Sequence, residues 1–223
     1  MSNHEIEEIL KLQPGLSFFE EKGLFEGYIS LSEADSYQVI IDPSPFPEAF
    51  PSVFEIGERI PRKLDRHKFN NSDKCCLTTN ANAQILLKTE IYSISEFMSR
   101  IVIPYFQNNS YFELNGEYFQ GEYSHGNIGI LEGYQDILGI EDPITIASII
   151  YDRIEGKKLT IRDKCFCGNG ESLKKCSTHR VNYRRFRHID KDTLTQDFEQ
   201  LLKLIEEVRD YLSAKKSYPT TTK

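Results

Sequence analysis

Residues 39–77 read VIIDPSPFPEAFPSVFEIGERIPRKLDRHKFNNSDKCCL, and the order of signals in this stretch decides the fold. The β-branched run at 37–42 (YQVIID) predicts a strand. Four prolines, Pro43, Pro45, Pro47 and Pro51, then punctuate a turn. A further strand is predicted over 53–57. Residues 60–85 carry few regular signals and predict a long loop wrapped over one face, a kind of segment that is often functional in compact domains. That loop contains His67 and runs into Cys75-Cys76-Leu77.

Working outward, HEIEEILKL at 4–12 places Ile6, Ile9 and Leu10 at helical spacing, and Pro14-Gly15 stops the helix. LFEGYISL at 24–31 is aromatic and β-branched and predicts a strand, with a turn at 32–36. Ile94, Phe97, Met98, Ile101 and Val102 predict a helix over 94–106, with Pro104 closing its regular part. Residues 111–135 predict a hairpin and a glycine-rich loop around His125. Helices are predicted near 143–154 and over 192–212, the latter strongly amphipathic, and the tail SYPTTTK is expected to be loose. A helix, an antiparallel meander and further helices make an α+β chain.

The 223 residues are 39 % hydrophobic and 27 % charged, a globular composition. No apolar run approaches the roughly 20 residues of a membrane helix. The start, MSNHEIEEILKLQPG, is acidic where a signal peptide is basic and then apolar, so a cytoplasmic protein with no membrane partner is expected. The net charge is −7, and nucleic acid is an unlikely partner. The charge is uneven, however. The segment from Lys157 to His188 is basic, a pattern of either a solvated surface near a metal site or a patch for an acidic partner. The five cysteines fall into two clusters, 75/76 and 165/167/176, which points to one reactive site and one metal site and not to a disulfide framework.

The strand, Pro-rich turn, strand, His-containing loop and Cys-Leu of residues 39–77 resemble the core of ubiquitin-conjugating (E2) enzymes. The resemblance covers about residues 20–106. It implies a UBC-like antiparallel β-meander flanked by helices, with Cys76 before Leu77 as the thioester-forming cysteine and Cys75 as a buried neighbour or a second thiol. His67-Lys68-Phe69 stands where the family has His-Pro-Asn, so Asn70 and Asn71 are the candidates to bring a side-chain amide to the sulfur. Donors of that kind are worth roughly 3–4 kcal/mol in acyl transfer elsewhere. His67 is the loop histidine, read as ordering backbone carbonyls more than as a base. His125 is a second candidate, read chiefly as structural. The Trp usual downstream of the E2 cysteine is missing, since the chain has no Trp. This fits a diverged prokaryotic E2-like branch found in antiphage defence and cyclic-oligonucleotide signalling. The implied partners are a protein donor with a C-terminal Gly, such as a cyclic-oligonucleotide synthase, and an E1-like activating enzyme. The alternative is an inactive E2-like binding module.

KCFCGNGESLKKCSTHR, from residue 164, sets Cys165-x-Cys167, eight residues, Cys176, two residues and His179 in line. Three thiolates and an imidazole suit tetrahedral Zn²⁺. The segment resembles the SEC-C motif found at the end of the SecA translocation motor. Ser177 stands where the motif usually has its fourth ligand, so His179 is taken as that ligand, with His188 as the fallback. Four ligands close the site, so the zinc is expected to be structural. The expected organisation is an E2/UBC-like domain over 1–158, a SEC-C zinc module over 159–190 and a C-terminal amphipathic helix over 191–215.

Overall fold

The structure is a computed structural model that describes residues 1–119 and 123–216, with side chains described to residue 210. The chain is α+β, and its described residues fall into two compact units, 1–79 with 83–119, and 80–82 with 123–216. No helix among the described residues is long and apolar enough to cross a membrane.

The first unit opens with α1 (Asn3–Leu12). Ser2 and Glu5 cap it reciprocally, the Ser2 Oγ accepting from the Glu5 N–H and the Glu5 carboxylate from the Ser2 N–H. Four antiparallel strands follow in sequential order: β1 (Leu16–Phe19), β2 (Leu24–Ser32), β3 (Asp35–Asp42) and β4 (Ser52–Glu55). β1 was not legible in the sequence because it is a four-residue edge strand directly behind Pro14-Gly15. Its path brings the Gly15 carbonyl against Gly27 of β2, whose φ is 142° and where a Cβ would collide with that oxygen.

Alternation along the strands sends one face inward. Phe25 and Ile29 of β2, Tyr37, Val39 and Ile41 of β3 and Val53 of β4 are all buried. They pack with Ile9 of α1 and with a long helical run made of α3 (Ile94–Phe97), one π turn (Met98–Val102) and α4 (Ile103–Asn115). Tyr37 stacks on Phe106 with centroids 4.6 Å apart. Two expectations are corrected here. Pro104 does not end the helix: the Ile103 N–H reaches back to Met98 in the π turn, and Pro104 then sits in the first turn of α4, where its missing N–H costs little. Nor do the described residues of 111–135 form a hairpin. Tyr111, Phe112 and Leu114 complete α4, which stops at Gly116 (φ 77°), and Gly126–Leu138 is helical. Aromatic residues of high strand propensity here follow the helix already nucleated at Ile94. The stretch 60–85 is also more regular than expected, with a short 3₁₀ turn at Leu64–Arg66 and the start of α2 (Asn80–Thr89).

The second unit holds α5 (Gly126–Leu138), α6 (Pro143–Ile154), α7 (Ser177–Phe186) and α8 (Lys191–Lys216). α6 begins as expected, with the Asp142 carboxylate accepting from Ile144 and Thr145 N–H and Pro143 in the first turn. Tyr134, Ile146, Ile150, Phe186, Leu194 and Leu201 form its apolar centre. α5, α6 and α8 pack on one another, so the division falls near residue 120 and not at 158, and α8 is part of this unit and not a separate appendage. α7 was not foreseen, because its arginines hide the two inward residues, Tyr183 and Phe186. The tail 217–223 lies outside the described residues.

One carboxylate in this centre opposes its own ionisation. Asp197 on α8 accepts from the buried Tyr134 hydroxyl at 2.8 Å, and burial raises its pKa above the ordinary value. A raised carboxyl pKa favours the folded state fully only below the unfolded pKa, near ~3.9, and loses that contribution as pH climbs through the folded value. Asp197→Asn keeps the acceptor and removes the charge. Its melting temperature should match wild type near pH 4 and exceed it at pH 7, as read by differential scanning calorimetry.

Candidate functional site

The cysteine pair lies on a short ladder built beside β4. The Cys75 N–H donates to the Val53 carbonyl (2.8 Å) and the Glu55 N–H to the Asp73 carbonyl (2.9 Å), which extends the sheet by one segment. On its far side the Phe69 N–H donates to Lys74 (3.0 Å) and the Cys76 N–H to His67 (2.7 Å), with Lys68 bridged to Cys75. Residues 67–69 and 74–76 therefore form a small hairpin.

Because successive side chains on such a ladder point to opposite faces, adjacent cysteines meet opposite environments. Cys75 turns inward and is 3 % exposed. Burial pushes its thiol pKa up to about 12, so it stays protonated at neutral pH. Cys76 turns outward and is partly exposed. Lys68, in register with Cys75, also turns inward and is fully buried. Its ammonium is held by the Glu55 carboxylate (2.7 Å), the Glu55 carbonyl (2.7 Å) and the Ile60 carbonyl (3.1 Å), with Asp73 at 3.2 Å.

His67 and Cys76 are brought together through the backbone and through their side chains, a ring nitrogen of His67 lying within 4.8 Å of the Cys76 sulfur. His67 has a left-handed φ of 53°, and its carbonyl accepts both from Cys76 and from the buried Tyr105 hydroxyl, each at 2.7 Å. Its ring is buried, with Tyr118 edge-on at 5.2 Å. Asn70 and Asn71 are exposed in the turn at the opposite end of the hairpin from Cys76, where the Ser72 N–H closes back on the Phe69 carbonyl. At about 3.3 Å per residue that end is roughly 10 Å along the ladder. His125 belongs to the second unit, as the residue before α5. The sequence had no signal for Lys68, Glu55 or Tyr105, which are ordinary in isolation and significant only in register.

The second cluster lies within the second unit. Sulfurs of Cys165, Cys167 and Cys176 and a ring nitrogen of His179 all lie within 4.8 Å of one another, close enough to bind a metal. For Zn²⁺ with bonds near ~2.3 Å to sulfur and ~2.0 Å to nitrogen, tetrahedral ligand atoms sit about 3.5–3.8 Å apart, so small adjustments suffice. Cys165 and Cys167 occupy a knuckle closed by the Cys165 N–H on the Glu171 carbonyl (2.8 Å). The Asn169 backbone N–H lowers the Cys167 pKa, while burial raises that of Cys165. Cys176 caps α7, and His179 stands in its first turn.

The outer partner of His179 fixes its tautomer. Its Nε2 is 3.1 Å from the Gly139 carbonyl, which can only accept. Nε2 therefore carries the hydrogen, and Nδ1, 3.0 Å from the Cys176 sulfur, presents its lone pair to the cluster. Gly139 is left-handed (φ 72°) at the end of α5, and a Cβ there would lie 2.6 Å from the Asn182 amide and close to the His179 ring. His188 is exposed beyond α7 and is not among the four clustered residues. No family model, curated protein or solved structure matches this chain.

Two outcomes are expected from this geometry. Lys68→Met leaves the Glu55 carboxylate buried without its ammonium and should cost about 3–5 kcal/mol in urea unfolding, with much of the loss recovered in Lys68→Met/Glu55→Leu. In native protein at neutral pH, iodoacetamide should alkylate Cys76 well ahead of Cys75, as read by peptide mass mapping. Equal rates in denaturant would show that the difference belongs to the fold.

Proposed function

We propose that this chain is an E2-like acyl carrier that holds a partner's C-terminal carboxyl group as a thioester on Cys76, and that a structural zinc occupies the Cys165–Cys167–Cys176–His179 cluster. The observation that carries the first part is the division of labour between adjacent thiols, Cys75 sealed and neutral, Cys76 at the surface of a rigid ladder. A helix followed by a four-strand antiparallel meander, with the thiol after an irregular His-containing segment, supports a UBC-like arrangement.

The chemistry asks little of the surroundings. The Cys76 thiolate attacks the carbonyl carbon of an incoming thioester, the bond to the donor sulfur breaks, and the donor leaves as a thiolate that takes up a proton. Transfer onward is the same exchange with an acceptor thiol, or attack by an acceptor amine with Cys76 as the leaving thiolate. A free thiol in water is a few per cent ionised at neutral pH, which already suffices for exchange with an activated acyl group. Aminolysis also calls for oxyanion donors. With Asn70 and Asn71 in the exposed turn, thiol-to-thiol relay fits the site better than amine transfer. The same placement favours the second reading, an inactive E2-like module whose role is binding.

Zinc is supported by a soft donor set of three thiolates and a neutral imidazole whose tautomer is already fixed. It would cross-link a segment with little core of its own and supply no reaction step.

Native and denaturing intact mass of the protein co-expressed with its gene neighbours tests both parts. A thiol-labile adduct is expected on wild type and on Cys75→Ser, absent in Cys76→Ala and thiol-resistant in Cys76→Lys. One zinc per chain is expected in all four and lost in Cys176→Ser. Zinc retention with no adduct on any form selects the binding module.

A further inference from the structure

The net charge of the chain conceals a concentrated cationic face. Between residues 157 and 188 there are ten Lys or Arg and two acidic residues, whereas the remaining residues hold 17 basic and 32 acidic. All ten basic side chains are exposed. Lys157 is engaged by Asp152 and Lys175 by Glu171, both as solvent-exposed pairs. Arg180, Arg184 and Arg187 follow one another at i, i+4 and i+7 along the solvent side of α7, while Tyr183 and Phe186 turn inward. Like charges at these spacings repel.

The face is also pre-positioned. Cys176 and His179 anchor the start of α7 in the metal cluster, and the Arg180 guanidinium donates to the Lys174 carbonyl at 3.2 Å, joining the helix to the loop that carries Lys174 and Lys175. The guanidinium-bearing positions step along the axis by about 6 Å and then about 4.5 Å. That is the scale of the charge spacing on a duplex strand, one phosphate per ~3.4 Å of axis.

We propose that the solvent side of α7 and the adjoining Lys174–Lys175 loop bind the phosphate backbone of duplex nucleic acid without reading its sequence. Two observations decide the class of partner. Stable protein–protein interfaces have an apolar centre with few charges, and Val181 is the one large apolar side chain exposed on α7. Single strands are held by exposed aromatic rings on which bases stack, and both aromatic residues of α7, Tyr183 and Phe186, are buried. What remains is an array of planar guanidinium donors, which suit phosphate oxygens.

The test is fluorescence anisotropy of a labelled duplex of arbitrary sequence, titrated with the full-length metal-loaded protein over a range of salt. Affinity should fall linearly in log–log form, with a slope of roughly −4 if about four or five phosphates are neutralised. Arg184→Glu/Arg187→Glu should lose at least tenfold in affinity with an unchanged circular dichroism spectrum, and Arg209→Glu on α8 should bind as wild type. A second duplex of unrelated sequence should bind equally. No binding at low salt, binding unaffected by the double charge reversal, tighter binding to a single strand, or displacement of the duplex by polyglutamate at equal charge concentration would each overturn the assignment.

Discussion

The buried ammonium of Lys68 is the constraint on which the thiol site depends. Taking an ammonium and a carboxylate out of water costs several kcal/mol per ion, recovered only if nearly every hydrogen-bonding direction is filled. Glu55 supplies both a carboxylate and a carbonyl, and Ile60 a second carbonyl. These acceptors come from β4 and the segment just after it, so Lys68 can be satisfied in one place only. Lys68 is paired with Cys75 across the hairpin, and a slip of one residue would bring the ammonium out of its cage and turn Cys75 outward and Cys76 inward. The identity of the accessible thiol is therefore set by an ion pair that never touches it. The ion pair contributes little net stability, and its effect is to make alternative registers expensive.

The metal cluster solves a comparable problem with different means. Between residues 159 and 176 the buried apolar side chains are few, Cys165 and Leu173 among them, too few to fix a loop by hydrophobic burial alone. A metal held by these four side chains would replace core, and the geometry would pass at once to the helix that starts after Cys176. The ring of His179 ties that helix to the end of α5 through the Gly139 carbonyl. A side chain at residue 139 would press on the Asn182 amide and come into ordinary contact with the imidazole, so the αL position there favours glycine for its φ and for the room left to Asn182.

What was legible in the sequence follows from the range of the interactions involved. α1, β2, β3, β4 and α6 announce themselves by local periodicity and by stop signals such as Pro14-Gly15 and Asp142-Pro143. The four clustered residues are legible because knuckle and helix put three of them within twelve residues of one another. Pro104 misled because a π turn ahead of it, a tertiary accommodation, moves it into a first turn. Residues 111–115 carry strand propensity that the helix already under way overrides. Asn70 and Asn71 are near Cys76 in sequence and not in space, because a hairpin of this size sends its turn away from its open end. Lys68 and Glu55 were silent, because a buried ion pair between residues thirteen apart has no local pattern.

The charge distribution shows why a bulk number is a poor guide to a surface. At 0.15 M ionic strength the Debye length is about 8 Å, so an exposed phosphate responds to charges within about one helical turn and a half and hardly to those farther off. A duplex approaching α7 would meet Arg180, Arg184 and Arg187 first, and acidic residues more than a Debye length away would contribute little. The net charge of −7 governs solubility and long-range encounter at low salt, where it slows approach of another polyanion. It does not govern what a local array of guanidinium groups holds once in contact. Global repulsion combined with local attraction yields binding that depends on correct presentation of one face, and here Cys176 and His179, at the start of α7, hold that face in place.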